Sequence, residues 1–216
     1  MRTYTSRDAP RVSALHRLAL PRGFLSSLGD RFLGTLYGLL ATAPGTRVLV
    51  AADDGDRCVG FVAGSIDVRH AYRHVLRRGW FPLLGAMLPA TLRPGVLPRA
   101  VQTLIYPLRR PGRQRKPARP EGEVETIRAE LLSIAVAAEA RGHGLGRKLV
   151  AALEDDLRQW GHDGPYRVVT DSEDPRSNAF YLALGFARAG EFLHHGHVMA
   201  IYTRTLPREA PVEVEE

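Results

Sequence analysis

Three glycines occupy alternate positions at the start of a predicted helix, in the stretch "ARGHGLGRKLVAALEDDL" from Ala140 to Leu157. A glycine in a helix interior costs about 1 kcal/mol relative to alanine, so these glycines oppose helix formation there. A flexible loop that leads into a helix presents unpaired backbone N–H groups beside the positive end of the helix, which suits a phosphate or pyrophosphate. The stretch also supplies positive charge, at Arg141, Arg147 and Lys148. We therefore expect residues 141–147, the glycine loop, to bind phosphate; a helix entry that is only glycine-rich is the alternative.

The spacing of the glycines excludes two common phosphate-binding loops. The Walker loop requires Gly, four residues and then Gly-Lys-Ser or Gly-Lys-Thr, and no part of the sequence matches it. The dinucleotide-binding loop requires Gly-x-Gly-x-x-Gly, whereas the glycine loop has Gly-x-Gly-x-Gly.

Helices and strands that alternate along the chain must position this loop. The hydrophobic spacing predicts two helices within 11–42, a hairpin of strands 47–52 and 58–67, a strand over 125–136, a helix from 145 to 160, a strand in "YRVVTD", a helix over 176–184 and a last strand over 197–205. This order predicts an α/β fold, a mixed sheet with helices on its faces. A ligand site is expected where strands diverge near a loop-to-helix turn.

One segment makes the chain basic. From Arg69 to Arg119 there are 12 Lys or Arg residues and no Asp or Glu, whereas the rest of the chain carries 18 basic and 23 acidic residues. Residues 69–120, the basic segment, are interrupted by prolines that include Pro82, Pro89, Pro94, Pro98, Pro107 and Pro111. We therefore expect short helices inside this segment and an irregular loop at "RRPGRQRKPARPEG".

The pattern Arg-x-x-Gly-x-Gly in the glycine loop, with "ELLSIAV" before it and "NAFYLALGF" after it, resembles the GCN5-related N-acetyltransferase (GNAT) superfamily over residues 130–186. The resemblance implies the GNAT fold, a central, mostly antiparallel sheet with splayed strands, and acetyl-CoA as cosubstrate without a metal. It implies that the backbone of Ile134, Ala135 and Val136 pairs with the pantetheine arm. It also implies that the pyrophosphate lies on Arg141, Gly142, His143, Gly144, Leu145, Gly146 and Arg147.

The same resemblance implies catalytic roles for two residues. Tyr181 occupies the position of the tyrosine that protonates the departing thiolate, with a core tyrosine as the alternative. Glu130 occupies the position of a glutamate base, with a solvated strand-edge residue as the alternative. Many members hold the pantetheine with an asparagine seven residues before the tyrosine. Asp174 stands at that position here, and Asn178 lies three residues before Tyr181.

The sequence therefore predicts one GNAT domain over residues 1–207, with the basic segment inside it and an acidic tail over 208–216. We expect transfer of acetyl to a primary amine of a small molecule, with an amino-sugar nucleotide as candidate acceptor. A protein N-terminus and a non-catalytic CoA- or phosphate-binding module are the alternatives. We expect the basic segment to cover the acceptor side and to bind a nucleotide-sugar diphosphate or an anionic membrane surface, with a solvated surface loop as the alternative. Nucleic acid is not expected, since no recognition motif accompanies the charge.

The remaining composition bears on compartment and metal binding. The single cysteine, Cys58, excludes an internal disulfide and fits a cytoplasmic enzyme, a monomer or homodimer that can lie at the membrane surface. The N-terminus lacks the unbroken apolar core of a signal peptide, and no stretch of about 18 apolar residues occurs. Three clustered histidines without a carboxylate are expected to line the acceptor mouth or face solvent rather than bind a metal: His194, His195 and His197.

Overall fold

The computed structural model describes residues 1–21, 23–91, 124, 126–194 and 196–206. These residues form a seven-stranded sheet in the order β1-β2-β3-β4-β5-β7-β6. The strands are β1 Arg2–Thr3, β2 Thr46–Ala52, β3 Cys58–Ser65, β4 Glu130–Val136, β5 Pro165–Asp171, β6 Ala187–His194 and β7 His197–Thr205. Neighbouring strands are antiparallel except β4 and β5, which are parallel. The mixed α/β fold expected from the sequence is confirmed.

Helices cover both faces of this sheet. They are α1 Ala9–Ala19, α2 Phe24–Ser27, α3 Asp30–Ala41, α4 Val68–Thr91, α5 Leu145–Gln159 and α6 Pro175–Ala183. Side chains alternate between the faces along each strand, so Phe61 of β3 joins the core beneath α1, α3 and α4, whereas Val62 joins the core beneath α5 and α6. The second core holds α5, the helix that the glycine loop precedes, against the sheet.

The periodicity of α5 explains its position. Its apolar residues recur at helical spacing and are buried against the sheet: Leu149, Val150, Leu153 and Leu157. Gly161, with φ of 76°, follows the helix and supplies the left-handed residue that commonly terminates one. The prediction for this helix is confirmed to within a residue at each end.

The first part of the basic segment differs from the prediction. Instead of short helices separated by prolines, α4 runs without interruption through Pro82 and Pro89. Packing outweighs the cost of proline here, since Ala71 and Val75 are fully buried against the core. Gly79 allows a close approach to α3, because a Cβ at this position would lie 2.1 Å from Cδ1 of Leu39.

Other predicted parts lie outside the described residues. These are residues 92–120 of the basic segment, the loop "RRPGRQRKPARPEG" and the acidic tail. Among the residues that the structure does describe, none of the helices has both the length and the apolarity needed to cross a bilayer.

Candidate active site

The parallel strands β4 and β5 separate almost as soon as they meet. They pair only at Glu130 with Arg167 and at Leu131 with Val168. On its other edge β4 stays paired with β3 as far as Val136. Within the described chain, the edge of β4 from residue 132 to residue 136 therefore has no neighbouring strand, and its unpaired backbone groups can bind an extended ligand.

The glycine loop lies at the wide end of this gap. Gly142 and Gly144 have φ values of 82° and 72°, which glycine adopts without strain, and a Cβ at either position would meet no atom within 4 Å. The helix α5 begins directly after Gly144, and its first backbone hydrogen bond runs from the Lys148 N–H to the Gly144 carbonyl. The N–H groups of residues 145–147 are therefore free of intrahelical partners and suit an anion.

Cationic side chains surround the loop and are open to solvent. Arg141 donates from Nε to the Val136 carbonyl at 3.0 Å, which holds its side chain across the end of β4. Arg147 donates to the Ala183 carbonyl at 3.4 Å, at the end of α6. His143 is exposed between them. An open strand edge that ends at a cationic glycine loop fits the elongated, diphosphate-containing acetyl-CoA, although the contacts of the individual residues stay predictions.

Tyr181 lies on the α5 and α6 side of the sheet. Its ring packs 6.1 Å from the ring of Tyr202, which is paired in register with Val168. Tyr181 is therefore level with the point where β4 and β5 begin to separate. The residue is 5% exposed, and none of the described residues forms a hydrogen bond with its hydroxyl. Burial raises the pKa of Tyr181, so its hydroxyl stays protonated at neutral pH and can donate to a ligand.

Glu130 lies at the same level but on the opposite face. It alternates with Leu131, which belongs to the core beneath α5 and α6, so its side chain is directed towards α1, α3 and α4. Its carboxylate accepts a hydrogen bond from Nε of Arg167 at 2.8 Å, in an ion pair that is largely shielded from water. Burial and the charge of Glu130 raise the pKa of Tyr72 on α4. Glu130 thus has a structural partner, and its role as a base stays a prediction.

Asp174 and Asn178 both serve the start of α6. Asp174 caps this helix by accepting hydrogen bonds from the backbone N–H groups of Arg176 and Ser177. The amide nitrogen of Asn178 lies within 3.3 Å of three backbone carbonyls, so its two N–H groups are occupied, and its oxygen accepts from Tyr202. Both residues have an intramolecular role that the sequence analysis did not predict. Their contact with pantetheine stays a prediction.

A buried polar cluster beside the gap was missed from the sequence. The Tyr37 hydroxyl lies 2.6 Å from Nδ1 of His16, and Oγ of Ser133 on β4 lies 3.4 Å from the same nitrogen. Burial lowers the pKa of His16 to about 4, so the imidazole is neutral at pH 7. The sequence gives little indication of this cluster, because His16 follows Val12 and Leu15 on α1 at the spacing of ordinary core residues.

The histidines near the β6–β7 turn form no metal site among the described residues. His194 ends β6, His197 begins β7, and His195 lies outside the described residues. In the described part of the chain, no group of three or more His, Cys, Asp or Glu side chains is placed to hold a metal ion. Cys58 is buried in β3, as expected, and burial raises its pKa to about 11.

Comparisons with known proteins agree with this geometry. The acetyltransferase (GNAT) family model matches residues 112–186, which include β4, the glycine loop, α5, β5 and α6. No curated protein sequence matches the chain.

Solved structures share the fold at low sequence identity. A ribosomal-protein-alanine N-acetyltransferase from Brucella melitensis is 20% identical, with a TM-score of 0.56 over 95% of this chain and 98% of that one. A phosphinothricin acetyltransferase of the GNAT superfamily from Sinorhizobium meliloti, in complex with AcCoA, is 16% identical, with a TM-score of 0.55 over 95% of this chain and 86% of that one. An N-acetyltransferase from Staphylococcus aureus Mu50 is 14% identical, with a TM-score of 0.55 over 95% and 97% of the two chains.

The family match thus falls on the segment that forms the gap between β4 and β5, and the likeness of fold extends over nearly the whole chain. Over residues 112–186 this chain is similar to the acetyltransferase (GNAT) family, and nearly its whole length shares the fold of solved acetyltransferase structures.

Proposed function

We propose that this enzyme transfers the acetyl group of acetyl-CoA to the primary amine of an amino-sugar nucleotide. The observation that carries the proposal is the placement of Tyr181 and Glu130 on opposite faces of the sheet, both level with the point where β4 and β5 separate. A thioester held in the gap would have a proton donor on one side and a proton acceptor on the other.

Three regions of the chain bind different parts of acetyl-CoA. The glycine loop and the N–H groups at the start of α5 bind the pyrophosphate. The open edge of β4 hydrogen-bonds the amide groups of the pantetheine arm, as a neighbouring strand would. The end of the gap near Leu131 then stops the arm and places the thioester between the two catalytic residues.

The reaction needs two proton movements around one attack. The neutral amine attacks the thioester carbonyl carbon, the carbon–sulfur bond breaks, and Tyr181 donates a proton to the departing thiolate. The amine loses a proton to Glu130, directly or through water. Direct attack forms no covalent intermediate with the protein.

Charge supports a phosphate-containing acceptor. The helix α4 contains no Asp or Glu, and its first turns lie beside Glu130, as the effect of this carboxylate on Tyr72 indicates. A diphosphate near the start of this helix would meet a positive potential that draws it towards the site. Arg167, paired with Glu130, adds a further cation at the acceptor face.

The experiment is a measurement of acetyl-CoA consumption with four acceptors: an amino-sugar nucleotide, the same amino sugar without its nucleotide, a polyamine, and a peptide with a free N-terminus. We expect the highest kcat/KM for the nucleotide form, and the free amino sugar is the matched control for the diphosphate. Faster turnover of the peptide would replace the proposed acceptor by a protein N-terminus, the class of acceptor for which the Brucella ribosomal-protein-alanine N-acetyltransferase is named. Binding of CoA without turnover of any acceptor would favour a non-catalytic module.

A further inference from the structure

The helix α4 has a second face that plays no part in the core. It carries a set of residues that we call the α4 basic surface: His70, Arg73, His74, Arg77, Arg78, Trp80 and Phe81. All of them are exposed except His74, which is half-buried and lies 3.3 Å from Oγ1 of Thr42 at the end of α3. Residues 70, 73, 77 and 81 follow the spacing of one helix face. Cationic and aromatic side chains therefore share this surface.

The arginines and histidines of the surface line a hollow. His70, Arg73, His74, Arg77 and Arg78 line a cavity of about 210 Å³ on the side of the helix. Burial, with the charges of Arg78 and His70, lowers the pKa of His74. Because α4 carries no acidic residue, these arginines repel one another until an anion lies between them. Arginine is well suited to phosphate, which it binds with two parallel hydrogen bonds.

Two large aromatic side chains lie beside the hollow. Trp80 is 52% exposed and Phe81 is 71% exposed, and their ring centroids are 4.3 Å apart. They follow Arg77 and Arg78 within one helical turn. In a membrane, the anionic headgroups lie next to the apolar acyl chains. Exposed aromatic rings beside arginines are favourable at this boundary.

We propose that the α4 basic surface docks this enzyme on an anionic lipid bilayer. The arginines contact the headgroup phosphates, while Trp80 and Phe81 enter the layer between headgroups and acyl chains. The proposal concerns where the enzyme resides rather than what it acetylates, so it goes beyond the proposed function and does not depend on the identity of the acceptor.

A nucleic acid also offers phosphates, but the shape of the surface favours a membrane. Non-specific binding of a single strand requires a positively charged groove that follows the strand, with aromatic faces on which bases stack. The arginines here lie on one face of a single helix, from residue 73 to residue 78, which spans only about 8 Å of helix axis. The two rings are tilted against each other rather than presented as successive stacking platforms.

Vesicle sedimentation of the whole 216-residue chain tests the proposal. The probes are vesicles of phosphatidylcholine alone and vesicles that also contain phosphatidylglycerol, at low and at raised salt. We expect binding to the anionic vesicles only, and weaker binding at raised salt. Arg73→Gln with Arg77→Gln should weaken this binding by about thirtyfold, since each arginine near an anionic surface contributes about one factor of five. Trp80→Ala with Phe81→Ala should weaken it by at least about tenfold and leave its salt dependence unchanged.

Matched variants control for charge and exposed apolar area. Arg7→Gln with Arg31→Gln removes the same charge from exposed positions elsewhere, and Leu18→Ala removes an exposed apolar side chain from α1. Both should bind vesicles like the parent. The proposal is overturned if the parent does not bind anionic vesicles, if the control variants weaken binding as much as the α4 variants, or if single-stranded RNA displaces the protein from the vesicles through the same arginines.

Discussion

At the scale of single residues, the hydroxyl of Tyr181 is the group that the mechanism uses most directly. Its burial keeps it protonated, and the described residues offer it no hydrogen-bond partner. Tyr181→Phe should therefore lower kcat by roughly 10²–10⁴-fold, the range of a general acid, and change the KM for acetyl-CoA little. Steady-state kinetics check this. A kcat within about twofold of the parent would show that Tyr181 only packs its ring.

The role of Glu130 can be separated from its ion pair. Glu130→Gln should alter the limb of the pH–rate profile that reports the base, because it removes a proton acceptor while keeping the shape of the side chain. Arg167→Gln is the matched control, since it breaks the same ion pair and leaves the carboxylate in place. If both variants change the profile alike, the pair is structural and water is the base.

At the scale of elements, two glycines of α4 distinguish packing from helix propensity. Gly85→Ala should raise the free energy of unfolding by up to about 1 kcal/mol, because alanine is the better helix former and no atom lies within 4 Å of the new Cβ. Gly79→Ala should not raise the free energy of unfolding in this way, since Leu39 of α3 must move to make room for the same methyl group. Urea unfolding measures both variants. Equal stabilisation would mean that α4 does not pack closely on α3.

Local signals predicted most elements, and tertiary context decided those that were missed. The hydrophobic periodicity of the β2–β3 hairpin and of α5 can be recognised in the sequence. That of β6 cannot. In β6 the register with β7 shifts between Arg188 and Gly190, and this irregularity breaks the alternation that would mark a strand. In α4, Pro82 indicates a break that burial against the core overrides.

Some parts of the candidate site could likewise be predicted from local motifs, and others could not. The glycine loop and Tyr181 belong to short motifs that can be recognised along the chain. The gap between β4 and β5 depends on where pairing stops, and the contact of His16 with Ser133 joins residues 117 positions apart. Neither feature has a local pattern.

At the scale of the whole molecule, His16 should make stability depend on pH. Its pKa is about 4 in the folded protein and 6.5 in an unperturbed histidine, so between these values the unfolded chain binds a proton that the folded chain does not. The free energy of unfolding should therefore fall as the pH falls below about 6.5, by about 2 kcal/mol on reaching pH 5. Urea unfolding at neutral and mildly acidic pH measures this.

The matched variants assign this dependence to one residue. His16→Gln should remove most of it, whereas His74→Gln, at a much less buried histidine on α4, should retain most of it. An identical loss of stability with pH in the His16→Gln protein would place the titrating group elsewhere.

The central claim is that the glycine loop holds the pyrophosphate of acetyl-CoA, and calorimetric titration of acetyl-CoA into two valine variants tests it most directly. Gly144 and Gly161 have φ values of 72° and 76°, and a Cβ at either would meet no protein atom within 4 Å, so valine strains both positions alike. Only Gly144 lies where the pyrophosphate must approach. Gly144→Val should therefore weaken binding of acetyl-CoA at least about tenfold relative to Gly161→Val. Equal affinities in two folded variants would contradict the account.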